Sequence, residues 1–328
     1  MTTSAPSPDA GPTSARPGLV LLAAAAVALL CANTPLAAPF ERLWTAPLAF
    51  GHDVRWAIND GLMAIFFFTV GIEIRHEVQH GALHGLRRAL LPLGAALGGM
   101  LVPAVVYWVF NHSGPTAAGW GIPVATDIAF AVGVLTLFGK RVPGAVRAVL
   151  LALAVVDDVG AIFVITIFYA GGVHPTLVGV VLGLLLPTRL GARLQRALAA
   201  AVSYGIMPLF ALANAGVALG GGSFSGDGLH VVLGVALGLV AGKPLGVLAA
   251  SRLLVATKAA ALPPRVGWRE VTILGTLAGI GFTMSLFIAQ LAFPDGPLLA
   301  AAKLGIIIGS AGAAAIAAAV TVLRRPGP

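Results

Sequence analysis

Apolar stretches broken at short intervals by Pro, Gly and charge run along almost the whole chain from Gly18. Ten qualify as helical segments: 18–34, 56–74, 89–110, 120–138, 145–170, 175–187, 198–219, 229–251, 271–293 and 298–323. Most can cross a hydrocarbon core of ~30 Å at ~1.5 Å per residue. The sixth spans only about 20 Å at that rise, so it is expected as a short helix buried among others or wetted at its ends. The stretch before the first segment, residues 1–17, is rich in Ser, Thr, Pro, Ala and Gly and reads as a disordered cytoplasmic tail. Residues 18–325 then form one transmembrane domain.

The basic residues test this reading. One side of the membrane collects Arg16; Arg75, Arg87 and Arg88; Lys140, Arg141 and Arg147; Arg189, Arg193 and Arg196; Arg252, Lys258, Arg265 and Arg269; and Arg324 and Arg325. The other side receives only Arg42 and Arg55, and Lys243 and Lys303 fall inside segments. Such asymmetry places both termini of a multi-pass membrane protein in the cytoplasm. Dropping any one segment would scramble it, so the first segment is retained as a helix rather than read as a signal peptide.

Composition agrees. The 328 residues are 58% hydrophobic and only 10% charged, with mean hydropathy +0.97, where soluble domains carry roughly 25% charged residues. The net charge of +8 is spread between apolar segments, which excludes a nucleic-acid-binding face. The single cysteine, Cys31, excludes an internal disulfide.

Few ionisable residues remain at depth: Asp60, Asp127, Asp157, Asp158 and Lys243, with Lys303 shallower. Asp157 and Asp158 sit side by side in the middle of the run from Val149 to Phe168. Each charge there costs roughly 2.5–3.5 kcal/mol. Four such groups cost on the order of 10 kcal/mol, while membrane hydrogen bonds return only ~0.6–2 kcal/mol each. Purely structural use is disfavoured, and binding or movement of a cation or protons is expected.

Two segments carry helix breaks. Pro123 removes a backbone donor just ahead of Thr126 and Asp127. Gly275, Gly279 and Gly281, with Thr283 and Ser285, mark the ninth segment at matching depth. These segments run in opposite directions, each flanked by two neighbours, so segments three to five and eight to ten form inverted three-helix units. The expected fold is an all-α polytopic membrane protein of about ten transmembrane segments, with inverted-topology repeats and two interrupted, crossing helices, as in secondary transporters. Lys243 is the cation available to neutralise a carboxylate there. The hydroxyls of Thr126, Thr283 and Ser285 either bond back to their own helices or meet an ion, and both readings stay open.

Eight stretches then carry a resemblance: Ala57–Met63, Val70–Glu77, Ile122–Phe130, Ala154–Ala161, Gly172–Leu177, Pro208–Gly216, Gly242–Gly246 and Gly279–Ser285. In this order, within residues 18–325, they resemble the NhaA-type sodium/proton antiporters of bacteria, a family that itself exemplifies inverted repeats. The resemblance implies electrogenic exchange of cytoplasmic Na⁺ or Li⁺ for external H⁺, serving sodium and pH homeostasis. It implies Asp158 as the principal ligand of the transported Na⁺, Asp157 as its neighbour paired with Lys243, and Asp127 and Lys243 as counter-charges at the broken helices. Thr126 and Asp60 are supporting residues, and Glu73, Glu77 and His174 are candidates for pH response. No cofactor or enzymatic activity is expected; the partners are Na⁺ or Li⁺, H⁺ and membrane lipid, with a homodimer left open.

Three departures from the family pattern stand out. The family has twelve helices, whereas Phe168–His174 leads from the fifth segment straight to the family's short eighth helix, so two are absent and parity is kept. The stretch Leu48–Arg55 is too short for the family's β-hairpin, which argues against dimerisation through a hairpin. His76 and the Gln195–Arg196 pair replace the family's usual residues near the funnel, so the pH threshold does not carry over. The rival reading is a channel-like or transport-inactive membrane protein that keeps its buried charges as structure. No sequence repeats as a selectivity filter, and no HExxH, GxSxG or Cys/His cluster points to an enzyme.

Overall fold

The computed structural model describes residues 16–48, 51–81, 86–138, 142–168, 174–219, 226–293 and 295–323. The tail up to residue 15, the loop stretches 171–173 and 220–225, and the basic residues Lys140, Arg141, Arg324 and Arg325 lie outside the described residues, as do the side chains of Arg87 and Arg88. The described chain is built from helices: α1 (Arg16–Ala32), α2 (Ala37–Trp44), α3 (Val54–His80), α4 (Leu86–Phe110), a 3₁₀ limb (Gly114–Val124), α5 (Ile128–Leu137), α6 (Gly144–Phe168), α7 (Pro175–Leu185), α8 (Thr188–Asn214), α9 (Gly226–Ala256), α10 (Trp268–Ala278), α11 (Phe282–Ala292) and α12 (Pro297–Val322). Among the described residues, β structure is confined to one isolated bridge between Pro47 and Asp53.

Six helices are long and apolar enough to cross a bilayer, and two bent pairs each form one further broken span. The 3₁₀ limb and α5 meet at 49°, α10 and α11 at 46°. Two shorter apolar helices, α1 and α7, fall on the first and sixth expected segments. Helix α2 was not expected. It is an eight-residue helix in the connection between α1 and α3, in which Trp44, 2% exposed, packs edge-on against Phe40 of the same helix at 5.4 Å.

Apolar burial drives little helix association in a membrane, so close backbone approach matters more. Helices α3 and α7 touch through Gly71, Gly179 and Gly183, where an added methyl would overlap the facing backbone. Helices α4 and α9 do the same through Gly98 and Gly246. Three π-helical turns interrupt the spans, at Ala57–Leu62 in α3, Val202–Ile206 in α8 and Gly238–Gly242 in α9. Pro208 and Pro244 follow two of them closely. A proline lacks the N–H that the carbonyl four residues back would accept, and a widened turn absorbs the mismatch. In α9 that turn directly precedes Lys243.

Candidate ion-binding site

The two broken spans meet at their breaks. The Asp127 N–H donates to Ile280 O at 2.7 Å. Each break exposes one helix C-terminus and one N-terminus inside the protein, with unsatisfied carbonyls at the first and unsatisfied N–H groups at the second. A single carboxylate serves both N-termini. Asp127 accepts from the Phe130 N–H of α5 at 2.9 Å, and from the Thr283 N–H and hydroxyl of α11 at 3.1 and 2.5 Å. Donors serve the C-termini: Lys243 Nζ donates to Val124 O, and Ser285 Oγ donates to Ile122 O at 2.7 Å. Thr126 Oγ1 lies 2.9 Å from Ala278 O at the end of α10. The signs match the helix dipoles, negative at N-termini and positive at C-termini.

Thr283 therefore bridges the two breaks. Thr283→Val keeps its shape but removes a donor from the buried Asp127 carboxylate, an expected loss of about 1–3 kcal/mol of stability. Thr283→Ser should recover most of that loss in thermal melts of the purified protein. Wild-type melting of the valine variant would contradict the capping role.

Asp157 and Asp158 project from α6 about 100° apart, as consecutive helical residues must. Asp157 turns into the protein, where its Oδ2 lies 2.9 Å from Lys243 Nζ and 2.5 Å from Thr126 Oγ1. Asp157 is 1% exposed and Lys243 is fully buried. The single Thr126 hydrogen can serve Asp157 or Ala278 O, not both at once. Asp158 turns the other way, into a cavity of about 580 Å³ whose lining also includes Thr126, Asp127, Glu73, Arg147 and Gln195. It makes no hydrogen bond or ion pair with the described residues. Arg147 and Gln195 lie near the helix ends where the basic residues gather, so the cavity reaches towards the basic face. No three His, Cys, Asp or Glu side chains among the described residues assemble as a metal cage. A cation beside Asp158 would need hydroxyl, carbonyl or water oxygens to complete its shell, as hard cations accept.

The remaining candidates divide between the two ends of α3. Glu73 lines the cavity, and Glu77 folds its carboxylate against Gly81. Asp60 lies about 20 Å further along the helix from Glu73, at 1.5 Å per residue, and its carboxylate is 3.9 Å from His174 Nε2. His174 also caps α7, its Nδ1 accepting from the Thr176 N–H at 3.3 Å. His174 thus stands apart from Glu73 and Glu77. Sequence reasoning missed a group of three amides, Asn59, Asn214 and Gln290, which bond to one another. Asn59 and Asn214 lie in the family-like stretches, but nothing in the sequence ties Gln290 to them.

Crossed, interrupted helices with counter-charged ends in a polytopic helical membrane protein define the architecture of a secondary transporter. The sequence profile of the family described as Na⁺/H⁺ antiporter 1 matches residues 12–172 and 169–321. The chain is 43% identical to the Na⁺/H⁺ antiporter NhaA 2 of Sorangium cellulosum, over 92% of this chain and 86% of the relative. It is 42% identical to NhaA 2 of Myxococcus xanthus, over 94% and 88%, and 41% identical to NhaA of a Janthinobacterium species, over 91% and 88%. The chain belongs to the Na⁺/H⁺ antiporter 1 family. The alignment to the Sorangium protein runs over 404 positions although it uses 92% of a 328-residue chain, so the relative carries a long stretch without counterpart here. The two profile matches meet at residues 169–172, where the sequence joins its fifth segment to the short sixth.

Proposed function

We propose that this protein exchanges cytoplasmic Na⁺ or Li⁺ for external H⁺ across the bacterial inner membrane. Its basic face would lie in the cytoplasm with both termini, by the positive-inside rule. The observation that carries the reading is the division of labour between adjacent carboxylates: Asp157 is held by Lys243 and Thr126, while Asp158 stands open to the cavity.

Asp158 can hold a sodium ion or a proton but not both, so competition at one carboxylate couples the two fluxes. With the cavity open to the cytoplasm, Asp158 gives up its proton and takes Na⁺, with the Thr126 hydroxyl and Asp127 carboxylate close by to supply oxygens. Once the site turns outward, protons displace the ion. A second proton carried by the Asp157–Lys243 pair makes the cycle electrogenic, so the membrane potential drives Na⁺ out. Asp127 and Lys243 keep the crossing neutral as one helix bundle rocks against the other. Glu73, at the cavity wall, would concentrate cations on the cytoplasmic approach and, with Glu77 and His174, belongs to the proposed pH-response group, while Asp60, 3.9 Å from His174, would support it.

Everted vesicles containing the protein, acidified inside by respiration, provide the test. Addition of Na⁺ or Li⁺ should collapse the pH gradient, seen as dequenching of a ΔpH dye, and empty vesicles should not respond. No dequenching at any pH between about 6 and 8, the range to which proteins tune carboxylates and lysines for proton transfer, would contradict exchange.

A further inference from the structure

On α6 the residue lining the cavity farthest from the basic end is Asp158, and on α3 it is Phe66. Beyond the cavity, α3, α8 and α11 present the same order of side chains towards the face opposite the basic one. Val70, Met207 and Met284 line the cavity. Next come Phe67, Phe210 and Phe287, all buried, with Phe287 centred 5.5 Å from Phe67 and 6.2 Å from Phe210. Further out lie Asn214 and Gln290, one turn beyond their phenylalanines, and Asn59, two turns beyond Phe67. The spacing is three or four residues on α8 and α11; on α3 Asn59 lies eight residues from Phe67, with Met63 between them, and steps of three to four residues keep side chains near one face of a helix.

The three amides close a ring. Asn59 Nδ2 donates to Gln290 Oε1 at 2.8 Å, Gln290 Nε2 donates to Asn214 Oδ1, and Asn214 Nδ2 donates to Asn59 Oδ1 at 2.7 Å. Asn214 also donates to the backbone carbonyl of Phe210, one turn back on α8, at 2.9 Å, which holds its side chain against its own helix. Asn59 Nδ2 also donates to Asn214 Oδ1 at 3.5 Å, so removing Gln290 breaks two bonds of the group and leaves Asn59 and Asn214 joined, while removing either asparagine breaks three. The Asn59 end sits in the π-helical turn Ala57–Leu62, a local widening that aims its side chain at the other two helices.

We propose that Asn59, Asn214 and Gln290 form a latch that, with the aromatic layer beneath, shuts the outer path to Asp158 and must open once per transport cycle. They are positioning residues: they touch no ion and set which way the site faces. A purely structural use of three amides would not need a cyclic arrangement across three helices beyond the Asp158 end of the cavity. The ring costs little to open, because amides freed at the aqueous face bond to water instead. An apolar seal alone would lack that property. The latch rests on the exchange reading for its role in a cycle, but its position can be tested without transport.

Met63, fully buried, lies between Asn59 and Phe67 on the same face of α3. In a Cys31→Ser background, Met63→Cys is labelled with a membrane-impermeant maleimide from the outer face of right-side-out vesicles, with and without Gln290→Leu. The latch predicts labelling about tenfold faster in the leucine variant, since the open state gains population. Equal rates overturn it. A second variant replaces the hydrogen bonds by a covalent link: Asn59→Cys with Gln290→Cys, bridged by a short bis-methanethiosulfonate. Bridging should cut Na⁺-driven proton movement about tenfold or more, to be restored by reductant. Full exchange by the bridged protein overturns the latch, whereas failure of the wild-type protein to exchange counts against the exchange reading and leaves the labelling result to decide the latch.

Discussion

Asp158→Asn is expected to reduce Na⁺-driven proton movement to the level of empty vesicles while leaving folding intact. Asparagine keeps the outline of the side chain but can neither ionise nor carry a proton. Asp158 makes no hydrogen bond or ion pair with the described residues, so its loss removes no structural contact. A buried charge without a partner is itself unfavourable, so the variant should melt at or above the wild-type temperature. Retained exchange would remove Asp158 as the shared site of ion and proton. A collapse in stability would show a structural duty that its geometry does not reveal.

The opposite pattern is expected next door. Asp157→Asn leaves Lys243 fully buried with its counter-ion gone. Breaking a buried pair by removing one partner costs roughly 3–5 kcal/mol, whereas replacing both by apolar groups of like shape is often neutral. Thermal melts should therefore rank Asp157→Asn well below Asp158→Asn, and Asp157→Leu with Lys243→Met should regain much of the loss. Lys243 also serves the carbonyl end of the 3₁₀ limb, so the double replacement should not recover fully. Equal destabilisation by the two asparagine variants would contradict the assignment of Asp157 as the structural partner.

The contrast between these neighbours was legible in part from sequence. The helical period already says that one lysine cannot face both carboxylates. It does not say which one Lys243 faces, because that depends on the rotation of α6 against α9. The breaks were readable because Pro123 and the glycines near 279 act locally on the backbone. Span ends were less so. Helix α8 starts at Thr188, ten residues before the apolar segment expected at 198, because Arg189, Arg193 and Arg196 end the hydropathy signal while the backbone hydrogen bonds continue. The 3₁₀ limb likewise begins at Gly114 in a stretch read as loop. Hydropathy reports contact with lipid, not helical hydrogen bonding. The capping role of Thr283 and the amide ring were illegible for a different reason. Asn59 and Gln290 are 231 residues apart, and a side-chain amide in isolation carries no sign of its partner.

The central claim is that one open carboxylate holds either Na⁺ or H⁺. Currents from the purified protein on a solid-supported membrane, recorded on Na⁺ jumps over a range of pH, test it directly. Competition at Asp158 predicts that the half-saturating Na⁺ concentration rises about tenfold for each unit of acidification on the acid side of the titration, with an unchanged maximum current. A half-saturating concentration independent of pH would contradict the account.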